Sequence, residues 1–453
     1  MQKTRDFLGR KKRTHENSDR EIPLVRALGL VQTVFLGVGT AIGGVLFAVI
    51  GTAANAAGPS VVITFLLGAV FAFFMGVCYA ELGASVPAGS GGAVSFARRA
   101  FGDGPLAFTS GWFSWIGSIT DCAIGSLVFA FSVQYFFDWV EPFTLATLTL
   151  AVFAFVNFRG TKTMSAIQFV VTAILVVTLL LFMTGSLTTF EISRFEPVFP
   201  NGFLTTLFLV SYIFPTYAGY ETITQLSEEV KTAGKTIPRA LFLTLALITI
   251  LFTGSALALV GGAPIEVYAN STTPLQDAAA YFLGPVGGIV VSVSSIVATL
   301  STINGSMAGG TRIAFALGRS RMLPSVFDKV HPKYRSPYTA LAITSIIALF
   351  FIWTRSVDFI VYAITLGYAV SAIIVALSLI RLRKTEPHLY RPFKVPLYPL
   401  TPLIAIGFLS FLLITLSLSS MVLGLALGLV GLGLFMFSRR RNQKIESAQN
   451  TQT

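Results

Sequence analysis

Apolar residues in this chain come in long runs. Twelve stretches, near 28–54, 59–84, 105–137, 143–158, 163–187, 203–226, 238–261, 284–303, 338–353, 357–380, 401–419 and 421–438, carry almost no charge and are joined by mostly short connections. A helix needs about 20 apolar residues to cross the hydrocarbon of a bilayer. The pattern therefore predicts an all-α membrane protein with twelve transmembrane helices and no room for a soluble domain beyond the tails.

Two of the runs are broken from within. In GVGTAIGGVLFAVIG (37–51) the residues Gly37, Gly39, Gly43 and Gly44 crowd the middle of the first helix, where each glycine costs roughly 1 kcal/mol relative to alanine. In LFLVSYIFPTYAGYETI, Pro215 and Gly219 interrupt the sixth, with Thr216, Tyr217 and Ala218 between them. From Gly43 to Gly219 is an offset of 176 residues, and the second and seventh runs, like the third and eighth, start 179 apart. The chain thus reads as two five-helix units, and because five is odd the second is inverted. The expected boundaries are a cytoplasmic tail over 1–26, repeats over 27–187 and 188–381, a loop with two peripheral helices over 382–438, and a second tail over 439–453. Proline and glycine free backbone groups that hydrocarbon cannot satisfy. Close helix packing explains either set of breaks alone; a matched pair in register favours a binding site at the repeat interface.

Composition agrees: the 453 residues are 54% hydrophobic and 11% charged, with mean hydropathy +0.76, against about 25% charged residues in soluble domains. The net charge of +12 raises the question of a nucleic-acid partner, and its distribution removes it. On a twelve-span reading, 30 of the 32 Lys and Arg fall on one face, with only Arg194 and Arg355 on the other. By the positive-inside rule both termini are cytoplasmic, and the basic excess is a topology signal with a weak attraction to anionic lipid. The first 26 residues are too polar for a cleavable signal peptide. Cys78 and Cys122 both fall inside spans, so no disulfide framework is expected.

Longer motifs carry a resemblance. GTAANAAGP (51–59), CYAELGASVPAGSGGAVSFARRAFGDGPLAFTSGW (78–112), GYETITQLSEEVKTAGKTIPRA (219–240), STINGSMAGGTRIAFALGRSRMLP (301–324) and RPFKVPLYP (391–399) resemble the amino acid, polyamine and organocation permeases, closest to prokaryotic members akin to the cationic amino acid transporters. The resemblance implies a five-plus-five inverted repeat with helices one and six broken, two peripheral helices, and secondary transport of amino acids by alternating access in the cell membrane. It implies no cofactor, no metal and no enzymatic step.

The breaks suit such a substrate. The outer half of helix one begins near Gly44, and its free N–H groups, with those of Gly43 and Val45, suit a carboxylate; the resemblance implies that the substrate carboxylate sits there. The inner half ends near Thr40 and Ala41, and the outer half of helix six ends near Phe214 and Thr216, where free carbonyls suit an ammonium group. Tyr217 and Ala218 lie inside the second break, and Tyr217 is the aromatic expected to gate the site. Where similar proteins usually carry Gly-x-Gly, this chain has Gly43, Gly44 and Val45, which predicts a tighter or shifted carboxylate pocket.

Two acids stand inside spans, where ionisable groups are candidates for function. Asp121, central in helix three, reads as a contact for a cationic side chain or a proton site, or as a partner of Ser114, Ser118 or Thr120. Glu221 reads equally as a substrate or proton contact, or as a helix-terminus stabiliser. Glu81 reads as structural, pairing with a loop arginine, and Glu228 and Glu229 as a cytoplasmic pair near Lys231. Some similar transporters place a lysine in helix five; the matching residue here is Leu175. Proton symport, sodium symport helped by Ser294, Ser295, Ser301 and Thr302, and exchange all stay open, and in-helix back-bonding is the plainer role for those hydroxyls.

Rival classes find little support. The histidines (His15, His331, His388) lie outside the spans, and no HExxH, GxSxG or phosphate loop occurs. A channel calls for a continuous polar pore. A polyamine or other organocation carrier is the nearest alternative, but a polyamine has no carboxylate for the N–H groups of helix one. A non-transporting receptor is a further alternative.

Overall fold

The computed structural model describes residues 28–86, 92–159, 165–225, 227 and 229–450. The expected N-terminal tail and Glu228 lie outside the described residues. Among those described, regular structure is helical apart from one parallel bridge between Leu28 and Val230.

The first apolar run is two helices, α1 (Leu30–Ala41) and α2 (Gly44–Ala57). A 3-10 turn leads into α3 (Val61–Ser85), and a short α4 (Ala93–Phe101) precedes α5 (Pro105–Gln134), α6 (Pro142–Arg159) and α7 (Ser165–Gly185). The sixth run is in pieces: α8 (Phe203–Phe208), α9 (Val210–Ile213), a 3-10 turn over Phe214–Tyr217, and α10 (Thr222–Gln225). Then come α11 (Ala233–Gly262), the short α12 (Ile265–Tyr268) and α13 (Pro274–Leu283), α14 (Pro285–Arg319), α15 (Tyr338–Trp353), α16 (Val357–Thr385), α17 (Leu400–Ile414) and α18 (Leu418–Asn450). Pro105, Pro274 and Pro285 open their helices, a position where the missing N–H forms no bond anyway.

Helix falls on each of the twelve apolar runs, yet only eight segments among the described residues are long and apolar enough to cross a bilayer unaided. One of the eight, Gly44–Ser85, is α2 and α3 taken together. The other four expected spans are the two broken runs and the 16-residue α15 and 15-residue α17, about 24 and 22 Å long at 1.5 Å per residue, against roughly 30 Å of hydrocarbon.

The core is built on α5, which lies lengthwise against α14 and α16, while α3 packs on α11, and α1 on α11 and α7. Close approach of α5 and α16 depends on Gly367, where a Cβ would stand 2.7 Å from the Gly117 nitrogen. Helix α13 lies against α2, with Pro274 over Gly51. Helix α18 packs chiefly along α16 and α5 and leaves Leu425 71% and Leu429 72% exposed, a face suited to lipid.

One end of the bundle is tied by charge. Glu81, fully buried near the end of α3, accepts from Arg383 Nε at 2.9 Å and Nη2 at 2.5 Å, from the Val395 N–H at 2.6 Å, and pairs with Arg391 at 3.1 Å. This agrees with the structural reading of Glu81. Arg391 also donates to the carbonyls of Leu382, Glu386 and Leu389, so the segment after α16 is strapped across the end of α3. Glu386 meets Arg99 of α4 at 2.7 Å, and this guanidinium holds its carboxyl below the usual carboxylate range.

Candidate substrate site at two interrupted helices

The break in the first run falls at Ile42 and Gly43. Ile42 N–H still bonds Val38 O at 2.8 Å, then Gly43 turns extended (φ −92°, ψ −170°) and α2 begins at Gly44. Any residue adopts that φ, so glycine is needed there for room. A Cβ at Gly43 would lie 2.8 Å from Thr302 Oγ1, and one at Gly44 2.9 Å from Thr299 Cγ2, both on α14. Gly37 and Gly39, inside α1, instead pack against Ile223 and Thr244 and against Thr172 and Gln168, as the packing reading of such glycines requires.

In the sixth run Ala218 is extended (φ −70°, ψ 158°) and Gly219 has φ 110°. Gly219 is the residue that joins the two breaks. Its absent Cβ would stand 2.7 Å from Thr40 O and 2.9 Å from Ala41 N, and its carbonyl lies 2.9 Å from Thr40 Oγ1. The Thr40 hydroxyl is also within reach of Leu36 O at 2.9 Å and Gly37 O at 3.0 Å. Gly219→Ala combines a left-handed backbone with a backbone collision; we expect it to destabilise the protein by about 2–4 kcal/mol. Thermal unfolding in detergent with an unchanged midpoint would show that the two breaks do not depend on this contact.

Thr40 and Ala41 therefore lie against Gly219, with Ala218 and Glu221 within two residues of it and Gly43 and Gly44 just beyond the break in the first run. Val45 is already helical and 4% exposed. Phe214 and Thr216 are buried in the 3-10 turn, with Thr216 Oγ1 donating to Ile213 O at 2.7 Å. Tyr217, expected as a gate, is fully buried: its hydroxyl donates to Phe65 O of α3 at 2.7 Å and its ring packs on Phe252 of α11.

Glu221 Oε2 accepts from the Gly219 N–H at 2.8 Å, so its carboxylate satisfies a backbone donor freed by the break. Asp121 is different. Its neighbour one turn along α5, Gly125, faces Gly44, where a Cβ would stand 3.4 Å from the Gly125 Cα, so Asp121 lies a turn from the first break. The partners expected from the sequence are engaged elsewhere. Ser114 meets Ser371, Ser118 donates to Ser114 O, and Thr120 bonds back along its own helix. Asp121 Oδ2 instead accepts from Tyr368 of α16 at 2.5 Å, with Ser306 of α14 at 3.5 Å. No basic side chain pairs with it among the described residues.

Space adjoins these groups. Thr40, Asp121, Gly219, Glu221, Thr302, Ser306 and Tyr368 are all only partly buried, and among the described residues no atom beyond the surrounding turn of α14 lies within 4 Å of where a Cβ would stand at Gly305 or Gly309. Thr302, Gly305, Ser306 and Gly309 share one face of α14 by helical spacing, a face that carries two hydroxyls and two glycines with room beside them.

On the fifth run Leu175 is buried. The side chains reaching toward α1 are Thr172, donating to Phe35 O at 3.0 Å, and Gln168, accepting from Ser301 at 2.5 Å. The other hydroxyls considered for sodium are committed: Ser294 to Thr178, Ser295 to Ser132, and Thr302 back to Ala298 O. Sequence reasoning missed Tyr368, Ser306 and Gln168, because nothing in ITLGYAVS, STINGSMA or AIQFVV tells which of their residues turn toward Asp121 or α1.

Comparison with known proteins gives the same direction. A family model described as amino acid permease matches residues 28–437. The methylthioribose transporter of Bacillus subtilis (strain 168) is 26% identical over 442 residues, covering 92% of this chain and 95% of that protein. The branched-chain amino acid permease BcaP of the same organism is 26% identical over 449 residues, covering 94% and 95%. Cationic amino acid transporter 9, chloroplastic, of Arabidopsis thaliana is 28% identical over 335 residues, covering 68% of this chain and 58% of that protein.

Proposed function

The chain belongs to the amino acid permease family, a family of transporters rather than enzymes, and from that premise we propose that it carries amino acids across the cell membrane by alternating access. On this reading the chain crosses the bilayer twelve times with both termini cytoplasmic, in a five-plus-five inverted repeat followed by two peripheral helices. The broken runs α1–α2 and α8–α10 each make one crossing. The observation that carries the reading is the contact of the two breaks at Thr40 and Gly219, beside the partly buried polar groups of Thr302 and Ser306.

The chemistry follows from the ends that meet there. The first N–H groups of α2, from Gly44 and Val45, face a substrate carboxylate, and the last carbonyls of α1, with those of the 3-10 turn, face its ammonium group. Glu221 holds the second break together through Gly219, which favours a positioning role for it. Asp121, paired among the described residues only with hydroxyls, takes the substrate side chain. A carboxylate with no cation partner in a partly dry site favours cationic side chains, so lysine and arginine are the expected preferred substrates. Proton or sodium coupling and exchange are separated by the same experiment that tests the function.

That experiment is uptake and counterflow in proteoliposomes against all common amino acids and polyamines, with and without sodium and at two pH values. Saturable uptake with counterflow is expected; non-saturating flux would point to a channel, and binding without flux to a receptor. Preference for polyamines over amino acids would remove the role given to the N–H groups of α2.

Val45 sets the size of the carboxylate end. We expect Val45→Gly to widen the range of accepted substrates, read as uptake competition across the amino acid series. An unchanged competition profile would reduce Val45 to packing.

A further inference from the structure

Helix α16 carries three polar contacts in register. At its first turn Asp358 Oδ1 accepts from the Tyr212 hydroxyl at 2.7 Å. Two turns on, Thr365 Oγ1 donates to Ser211 O at 2.7 Å. Three residues further, Tyr368 donates to Asp121. Ser211 and Tyr212 belong to α9, the piece just ahead of the second break, and the Tyr212 ring packs on Tyr362 of α16 with centroids 5.5 Å apart. One rigid helix therefore touches both the acid in the candidate site and the piece of helix that ends beside it. From Asp358 to Tyr368 the helix rises about 15 Å at 1.5 Å per residue.

On the topology proposed above, the Asp358 end faces outward. Asp358 and Thr52 of α2 are exposed there, while Tyr212 is 2% exposed. We propose that the Tyr212–Asp358 pair is the external closure of the substrate path, and that α16 couples this closure to occupancy of Asp121 through Tyr368 and Thr365. The coupling rests on the reading of Asp121 as the substrate side-chain contact; the closure does not. A substrate cation that takes the Asp121 carboxylate competes with the Tyr368 hydroxyl for the same oxygen. The loss of that bond shifts α16, and Thr365 and Asp358 move with it against Ser211 and Tyr212. Tyr212, Thr365 and Tyr368 are positioning residues in this scheme, because they act through the pieces they hold.

The test is the rate at which a membrane-impermeant thiol reagent, added outside, labels Ala48→Cys in the full-length protein in proteoliposomes. Ala48 lies on α2 one turn below Thr52 and is half-buried, and the native Cys78 and Cys122 are buried. Without substrate, Tyr212→Phe and Asp358→Ala are each expected to raise the rate about fivefold or more, within the usual range of coupling effects. The double variant should label no faster than the faster single one, since both remove one bond. Unchanged rates in both single variants, or multiplied effects in the double, would overturn the closure. With lysine as probe, the parent rate should change, and Tyr368→Phe should abolish that change while a lysine-induced thermal shift persists. A lysine effect that survives in Tyr368→Phe would overturn the coupling. If lysine gives the parent neither a thermal shift nor a change in rate, the substrate reading and the coupling fall together, and the substrate-free arm still decides the closure.

Discussion

Asp121→Asn is expected to lower uptake of lysine and arginine about 100-fold at subsaturating concentration, while neutral amino acids change by less than about threefold. The substitution keeps the shape of the wall, and an asparagine oxygen still accepts the Tyr368 proton now received by Asp121. Only the charge is lost. Truncating one partner of a desolvated charge pair costs about 2–5 kcal/mol, and 1.4 kcal/mol is tenfold in affinity. The check is the ratio of uptake rates for lysine and leucine in proteoliposomes, wild type against variant. If both substrates fall together, Asp121 acts on the transport cycle and not on the side chain; if neither falls, the cationic preference is wrong. Glu221→Gln should differ, because the Gln carbonyl can still accept the Gly219 N–H. It is expected to slow all substrates alike by a smaller factor.

Glu81→Ala should destabilise the protein by about 3–5 kcal/mol, the usual cost of removing one member of a buried ion pair. Among the described residues this carboxylate is the sole anion paired with Arg383 and Arg391, whose side chains are 18% and 7% exposed, and it also takes the Val395 N–H. Without it two guanidinium groups repel each other in a space with little water, and the strap after α16 loses its anchor. Thermal or denaturant unfolding in detergent measures this directly. A loss below about 1 kcal/mol would mean that water reaches the arginines easily and that the strap is held by packing, such as Pro392 against Gly234. Glu81→Gln should fall between, since an amide keeps one acceptor and supplies no charge.

Several features were legible from residue order because they depend on local composition. A run of apolar residues in hydrocarbon satisfies its own backbone N–H and C=O groups only by folding as a helix, so helix on all twelve runs could be read directly. The interruptions could be read too, since Pro215 and Gly219 remove a donor and admit a left-handed backbone wherever they stand. Motifs in the connections pointed to the permease family because they are long and specific.

Other features were decided only by how the helices lie against each other. Gly43 and Gly44 looked like helix breakers, yet their backbone angles suit any residue; what requires glycine is the proximity of Thr302 and Thr299, more than 250 residues further along the chain. Asp121 had three hydroxyl neighbours in sequence and bonds none of them, because α5 turns that face toward α14 and α16. Tyr217 sits inside a break and points out of it, into α3 and α11. Sequence alone thus determined which segments are helical and where they fail, since those are properties of a few adjacent residues. The tertiary structure decided which polar group meets which, because partners such as Tyr368 and Asp121 are far apart in sequence and no local period encodes their encounter.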